Sequence, residues 1–258
     1  MFRLGHPSNY WCISGSDVNL VRHPLPRRIV TIDAEPQMLT LDLSHTAIIV
    51  VDMQNDFCSE GGWVDSIGGD FEALQAPVGP LNRLLPALRQ EEVPVIWLNW
   101  GNRPDRLNLS PSVLHVYNSD GEGSGIGDPL PLNGSRVLEK GSWGADLVPE
   151  LVQAPGDIYV DKYRMSGFWD TPLDSILRNM NIRTVLFAGV NLDQCVMATL
   201  QDAVNCGYDS ILLADCAATN SPGFCAEAAL YNIKQCYGFV SDSGELVQAM
   251  AAQLKTSV

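Results

Sequence analysis

The chain has 258 residues, 46% of them hydrophobic, and a formal net charge of -14. That length fits one large α/β domain or two small ones, with enough apolar residues for a sizeable core. The acidic balance argues against nucleic acid and anionic membranes as partners, because both repel it, but leaves an anionic small molecule open, since a few local arginines can set the field of one pocket.

No run of about 18 apolar residues occurs, so no spanning helix is expected. The N-terminal stretch MFRLGHPSNYWCISGSDVNL has no continuous apolar segment and does not read as a signal peptide. Seven cysteines lie scattered at 12, 58, 195, 206, 216, 225 and 236, without a CxxC pair. An odd, scattered set argues against a disulfide framework and for a reducing, cytoplasmic setting.

In chain order, residues 1–44 are rich in Pro, Arg and polar residues and read as an irregular arm. With Tyr10 and Trp11 needing a surface to pack on, it is either a strap over its own chain or a cover for a neighbouring subunit. Residues 45–258 then read as a single domain. Apolar runs occur at Thr46–Val51, Val93–Leu98, Asp157–Val160, Thr184–Gly189, Ser210–Ala214 and Cys236–Val240. Runs apolar on both faces suit a parallel sheet covered by helices. Helical stretches fall at Phe71–Gln90, Thr171–Asn179, Cys195–Asn205, Phe224–Lys234 and Gly244–Leu254. The alternation predicts a doubly wound, mostly parallel, six-stranded α/β sheet with helices on both faces. Residues 100–145 are long, Gly/Pro/Asn/Ser-rich and without clear periodicity, a pattern typical of a functional or mobile loop.

In such a sheet, ligands bind beyond the C-terminal strand ends, near the topological switch point. Asp52 follows the first run, Asp161 and Lys162 the third, and the turn 190–194 leads from the fourth into Cys195. Alone, the Asp could be a helix cap, the Lys a solvated charge and the Cys core packing. Together they put three complementary groups at one sheet edge. Cys195 also opens a predicted helix, whose unpaired N–H groups and dipole favour a thiolate. Cys206, Cys225 and Cys236 read as packing; Cys58 and Cys216 have weaker claims to the pocket. The histidines, His6, His23, His45 and His115, show no metal-ligand spacing, so neither metal nor cofactor is expected. No GxSxG elbow follows a strand, and Gly121–Gly127 (GEGSGIG) neither follows a strand nor opens a helix.

The segments VVDMQNDF, the Lys162 strand end and GVNLDQCV, in that order over about residues 45–242, resemble the isochorismatase-like cysteine hydrolases. KGSWGADLVPEL, PGDIYVDKYRMSGFWDTPLDSILR and AALYNIKQCYGFVSD are more specifically similar to the ureidoacrylate amidohydrolases of that family. The resemblance implies an Asp52–Lys162–Cys195 triad, a cis peptide before Asn191, an oxyanion hole from the backbone amides of Asn191 and Cys195, and a homo-oligomer (dimer or tetramer). It departs at Asn191-Leu192-Asp193-Gln194, where Leu stands for a hydroxyl residue and an acid lies two residues before the cysteine, and in the long arm.

The implied function is a cysteine-dependent amidohydrolase that cleaves a C–N bond of a small ureide or amide through a thioester and releases ammonia. For an anionic substrate the candidate cation is Arg164, with Arg103 and Arg106 in the loop. Phe57, Asn99, Trp100, Phe168 and Trp169 are candidate walls, and His115 and Tyr117 a candidate lid. Biuret and N-carbamoyl amino acids are alternative substrates of the same motif set. Vinyl ether hydrolysis is opposed by Cys195, because family members with that chemistry lack the cysteine. A non-catalytic binding protein on the same fold is opposed by the intact Asp, Lys and Cys, and a redox sensor by the lack of a second cysteine near Cys195.

Overall fold

A computed structural model describes residues 2–256. The strands are β1 Phe2–His6, β2 Asn9–Ile13, β3 Val18–Asn19, β4 Ile29–Ile32, β5 Leu39–Asp42, β6 Thr46–Val51, β7 Val95–Trp100, β8 Ile158–Lys162, β9 Thr184–Val190, β10 Asp209–Ala218 and β11 Phe239–Ser241. The helices are α1 Asn55–Cys58, α2 Trp63–Ser66, α3 Val78–Gln90, α4 Pro111–Tyr117, α5 Leu173–Asn179, α6 Met197–Asn205, α7 Gly223–Asn232 and α8 Ser243–Thr256.

Six strands form one all-parallel sheet in the order β11-β10-β9-β6-β7-β8, with helices around it. Every residue of β6 is buried, as the unbroken run TAIIVV requires of a strand covered on both faces. The chain runs outward from β6 through β7 to β8, then returns to β9 on the other side of β6. The switch point therefore lies between β6 and β9, directly above Val51 and Gly189, which pair across it. Gly189 has φ +106°, and a Cβ there would fall on the Val51 carbonyl. Only glycine lets the two strand ends approach so closely.

Several sequence expectations are corrected. The arm is not irregular. β1, β2 and β3 form an antiparallel sheet, and β4 and β5 pair in a second one. Val30, Ile32 and Leu41 are buried, and Glu35 bridges to Val240 of β11, so the second half of the arm straps its own chain. The strands are short, which is why no long periodicity marks them. Residues 100–145 contain the short helix α4 and bury Tyr117, Ile126, Leu130, Val137 and Leu138. β10 runs on to Ala218, past the predicted Ala214: its pairing with β9 is irregular between Leu212 and Ala217 and resumes with Ala217 opposite Gly189 and Ala218 opposite Val190. Cys195 does not open an α-helix: it sits inside a π turn, Leu192–Val196, and α6 starts at Met197. No described helix is long and apolar enough to cross a membrane.

Candidate active site

Asp52, Lys162 and Cys195 come from the ends of β6, β8 and β9, and the fold brings them together. Lys162 Nζ lies 2.9 Å from Asp52 Oδ2 and 3.4 Å from Cys195 Sγ. All three are buried, with Lys162 fully covered. Lys162 also donates to the Arg164 carbonyl at 3.1 Å, and its ammonium sits 3.9 Å above the centre of the Trp100 ring. A buried ammonium is tolerable only with such partners. Asp52 holds φ +52°, uncommon for a residue with a Cβ, which turns its side chain out of the strand line at the switch point.

Burial shifts the proton affinities of Asp52 and Cys195. It raises the Asp52 carboxyl above the usual carboxylate range, against the pull of the Lys162 charge and of hydrogen bonds from Lys162 and Cys195. It pushes the Cys195 thiol up to about 12, helped by the Asp52 charge, while Lys162 pulls the other way. This overturns the expectation of a dipole-stabilised thiolate: desolvation outweighs it. The resting cysteine is a thiol beside Asp52, and Met165 Sδ packs 3.6 Å from its sulfur.

The turn before Cys195 is held from β10. The Val190–Asn191 peptide is cis. Asn191 Nδ2 donates to Asn220 Oδ1 at 3.1 Å, Gln194 Nε2 to Ser221 Oγ at 3.2 Å, and the Thr219 hydroxyl to Asp193. Thr219–Ser221 escaped the sequence reading because β10 ends four residues later than its apolar run suggests. With the longer strand, the same strand-end rule would have found them.

An aromatic cluster roofs the cysteine. Tyr117 is buried, its ring 4.8 Å from Trp63 and 5.4 Å from Trp100, and Phe57 meets Trp63 edge-on at 6.5 Å. Burial raises the pKa of the Tyr117 hydroxyl, and Cys195 and Asp52 lie near enough to add to that shift. Phe57, Trp100 and Tyr117 therefore lie at the cluster, as does Trp63, which the sequence reading missed. Asn99 and Trp100 line a cleft of about 670 Å³ with Lys140, Ala145 and Asp161, and Trp100 stands between that cleft and Lys162.

Other candidates lie elsewhere. β8 ends at Lys162, so Arg164 does not continue an extended face; its guanidinium pairs with Asp170 at 3.0 Å and donates to the Asn108 carbonyl. Arg103 pairs with Asp105, and Arg106 with Asp128. Phe168 and Trp169 run along α6 toward the opposite end of the sheet. Phe168 stacks on Tyr208, one residue before β10 begins, and exposed Trp169 donates to Asp202. His115 is on the outer side of α4 beside Arg106. Cys58 and Cys216 are buried thiols, pushed up by burial.

One buried acid was missed. Asp56 is fully covered, and its Oδ2 accepts the Leu138 N–H at 2.6 Å. A Cβ on Gly144 would collide with the same carboxyl. Asp56 thus anchors the loop that lies over the site. Gln54 adds to this, exchanging hydrogen bonds with the Trp100 backbone and donating to the Ala145 carbonyl.

Comparison with known proteins fits this geometry. The isochorismatase domain family model matches residues 46–245. A ureidoacrylate amidohydrolase of Enterobacter sp. (strain 638) is 35% identical over 224 residues, covering 86% of this chain and 96% of that protein. A cysteine hydrolase from Pseudomonas syringae pv. phaseolicola 1448A superposes with a TM-score of 0.68 at 26% identity, over 82% of this chain and 95% of that one. An N-carbamoylsarcosine amidase from Thermoplasma acidophilum does so with 0.58 at 26%, over 77% and 96%. With a parallel sheet of that form and a family match over most of its length, the chain belongs to the isochorismatase family and is a hydrolase.

Proposed function

We propose that this protein is a cysteine-dependent amidohydrolase that cleaves a C–N bond of a small ureide or amide, with Cys195 as nucleophile, Asp52 as proton carrier and Lys162 as electrostatic partner of both. The observation that carries this reading is the contact of one buried ammonium with the Asp52 carboxylate and the Cys195 sulfur at the switch point of the sheet. The 35% identity to a ureidoacrylate amidohydrolase supports the C–N bond as target.

The chemistry follows from the proton affinities. A thiol held near 12 is a poor nucleophile until a base takes its proton, and a carboxylate raised by burial is a better base than one in water. Asp52 accepts the proton as sulfur attacks the substrate carbonyl, and Lys162 offsets the charge moving through the cluster. Backbone N–H groups of Asn191 and Cys195 are the proposed donors to the oxyanion; in other enzymes one such donor is worth about 10²–10³ in rate. Asp52 returns the proton to the departing nitrogen, which leaves as ammonia. Asp52 then takes a proton from water as it attacks the thioester, and passes it to the Cys195 sulfur as the C–S bond breaks. For a ureide the product is a carbamate, which breaks down to carbon dioxide and an amine.

One observation favours a second reading of the substrate. The guanidiniums of Arg164, Arg103 and Arg106, the cations singled out for an anionic substrate, are each already paired with a carboxylate of this chain. That favours an uncharged ureide such as biuret over ureidoacrylate or an N-carbamoyl amino acid, both of which need a carboxylate partner. Ammonia release from ureidoacrylate, biuret, N-carbamoyl amino acids and simple amides, with wild type and Cys195→Ala assayed beside a chelator, tests both levels. Turnover of one ureide that survives the chelator and vanishes in Cys195→Ala is the expected result. Retained activity in Cys195→Ala would overturn the nucleophile, and inactivity on the whole panel would overturn the substrate class.

A further inference from the structure

The Lys162 ammonium has no donor to spare. Its N–H groups are taken up by the Asp52 carboxylate at 2.9 Å, the Arg164 carbonyl at 3.1 Å and the Cys195 sulfur at 3.4 Å. It therefore gives the sulfur one donor. A thiolate formed at a buried position needs more than that, because desolvation opposes its charge.

Trp100 carries an unused donor at the same place. The residue is 1% exposed, and its Nε1 is covered and without a hydrogen-bond partner among the described residues. Three other indoles find oxygens: Trp63 Nε1 donates to the Ser124 carbonyl at 3.0 Å, Trp97 Nε1 to Asp157 at 2.9 Å and Trp169 Nε1 to Asp202 at 2.7 Å. A buried indole N–H normally has such an acceptor, so one left over beside the nucleophile points to an acceptor that appears during the reaction. The ring is the surface on which Lys162 Nζ rests, 3.9 Å from its centre, and that ammonium contacts the sulfur. Trp100 also bears on the thiol itself. Burial raises the Cys195 pKa, and the Trp100 side chain, like Lys162, pulls it back down, which is the sign of an N–H facing a sulfur that gains negative charge.

The indole is fixed before any charge develops. The Trp100 backbone N–H donates to Gln54 Oε1 at 2.9 Å, Gln54 Nε2 donates to the Trp100 carbonyl at 2.8 Å, and the Tyr117 ring stands against the indole edge-on at 5.4 Å. Gln54 follows Asp52 by two residues, so one short stretch of chain holds both the base and this donor. A preorganised donor needs no reorganisation when the charge arrives.

We propose that the Trp100 indole N–H is a further catalytic group, which donates to the Cys195 sulfur as it becomes a thiolate. This rests on Cys195 being the nucleophile. The S–H proton goes to Asp52, the sulfur electron pair goes to the substrate carbonyl, and the indole keeps its own proton throughout. Asp52 from the end of β6 and Lys162 from the end of β8 are the charged groups at the sulfur; Trp100 joins them from the end of β7 as a neutral donor, under the Tyr117 hydroxyl of α4. The same contact stabilises the sulfur when it leaves the thioester.

The rate at which iodoacetamide alkylates Cys195 at a pH of about 8, followed by peptide mass spectrometry on folded enzyme, tests this without a substrate. Exposed Cys206 and Cys236 report the reagent's reactivity in the same molecule. Trp100→Phe keeps an aromatic face for Lys162 and removes the N–H. Replacing Trp100 by 3-benzothienylalanine keeps the bicyclic shape as well, with a sulfur where the N–H stood. Both proteins should label Cys195 about 10–100-fold more slowly than wild type, the worth of one hydrogen bond to a charged group, with Cys206 and Cys236 unchanged. kcat should fall by a similar factor with KM little changed. A Trp100 that only packs predicts the opposite sign, because a loosened roof admits the reagent faster. Labelling of Cys195 as fast as wild type, or faster, in the benzothienylalanine protein overturns the proposal, whether or not Trp100→Phe folds. Turnover retained in Cys195→Ala would instead overturn the nucleophile, and that result is read independently of the labelling rates.

Discussion

Asp56→Asn should stabilise this protein at neutral pH and not in acid. Asp56 is fully buried, accepts a 2.6 Å backbone hydrogen bond from Leu138, and has no cationic partner among the described residues. Burial raises its pKa from 3.8 to about 6, against the hydrogen bond from Leu138. A folded-state pKa above the unfolded one means that the native state binds the proton more tightly. The resulting stability is complete below about 3.8 and is lost as pH rises through about 6. At about 1.4 kcal/mol per pH unit, the ionised carboxylate costs the native state about 3 kcal/mol at pH 7.5. Asparagine keeps the acceptor for Leu138 and carries no charge, but its amide N–H groups face the glycine contact at Gly144, which subtracts about 1 kcal/mol. Urea unfolding of wild type and Asp56→Asn in parallel from pH 4.5 to 7.5 should give a difference near zero at the acid end. It should grow to about 2 kcal/mol in favour of the variant at the neutral end. Comparing the two chains cancels the titration of every other group. A difference that is flat across this range, or that turns against the variant as pH rises, would refute the argument.

Three further outcomes follow from the site. Lys162→Met strands Asp52 as a buried carboxylate without its ion-pair partner, so unfolding free energy should fall by about 3–5 kcal/mol at pH 7, with less loss in acid where Asp52 is protonated; equal melting temperatures would contradict the buried pair. Asn220→Ala removes the side chain that holds Asn191, so kcat should fall about 10-fold with KM little changed, and an unchanged kcat would show that this hydrogen bond does not position the turn. Tyr117→Ala opens the aromatic roof, so stability should drop by about 3–4 kcal/mol and iodoacetamide should label Cys195 faster, both read on intact protein by denaturation and mass spectrometry. Unchanged labelling would place access to the cysteine elsewhere.

Much of the architecture is legible along the chain. TAIIVV can only be a strand covered on both faces, and the other apolar runs repeat that signal with helical stretches between them, which is enough for a parallel sheet. Because chemistry in such sheets collects at the strand ends, Asp52, Lys162 and Cys195 could be picked out before any contact was known. Local pattern stops where the chain leaves regular structure. Past Lys162 the backbone bends, so two-residue spacing no longer predicts a shared face; Arg164 turned to Asp170, and Phe168 and Trp169 went to the far end of α6. The three strands of the N-terminal sheet have only two to five residues each, too few for alternation to stand out from a polar background. Burial was the largest undetermined quantity. A helix-start cysteine beside a lysine reads as a thiolate from neighbours in sequence, but the field at Cys195 is set by the roof of Tyr117, Trp63 and Trp100 and by the cover over β6 and β9. Solvent exclusion is a property of the whole assembled surface, and no residue carries it alone. The sequence by itself thus determined which groups meet at the switch point, and the tertiary structure decided how burial shifts the proton affinities of Asp52 and Cys195 there.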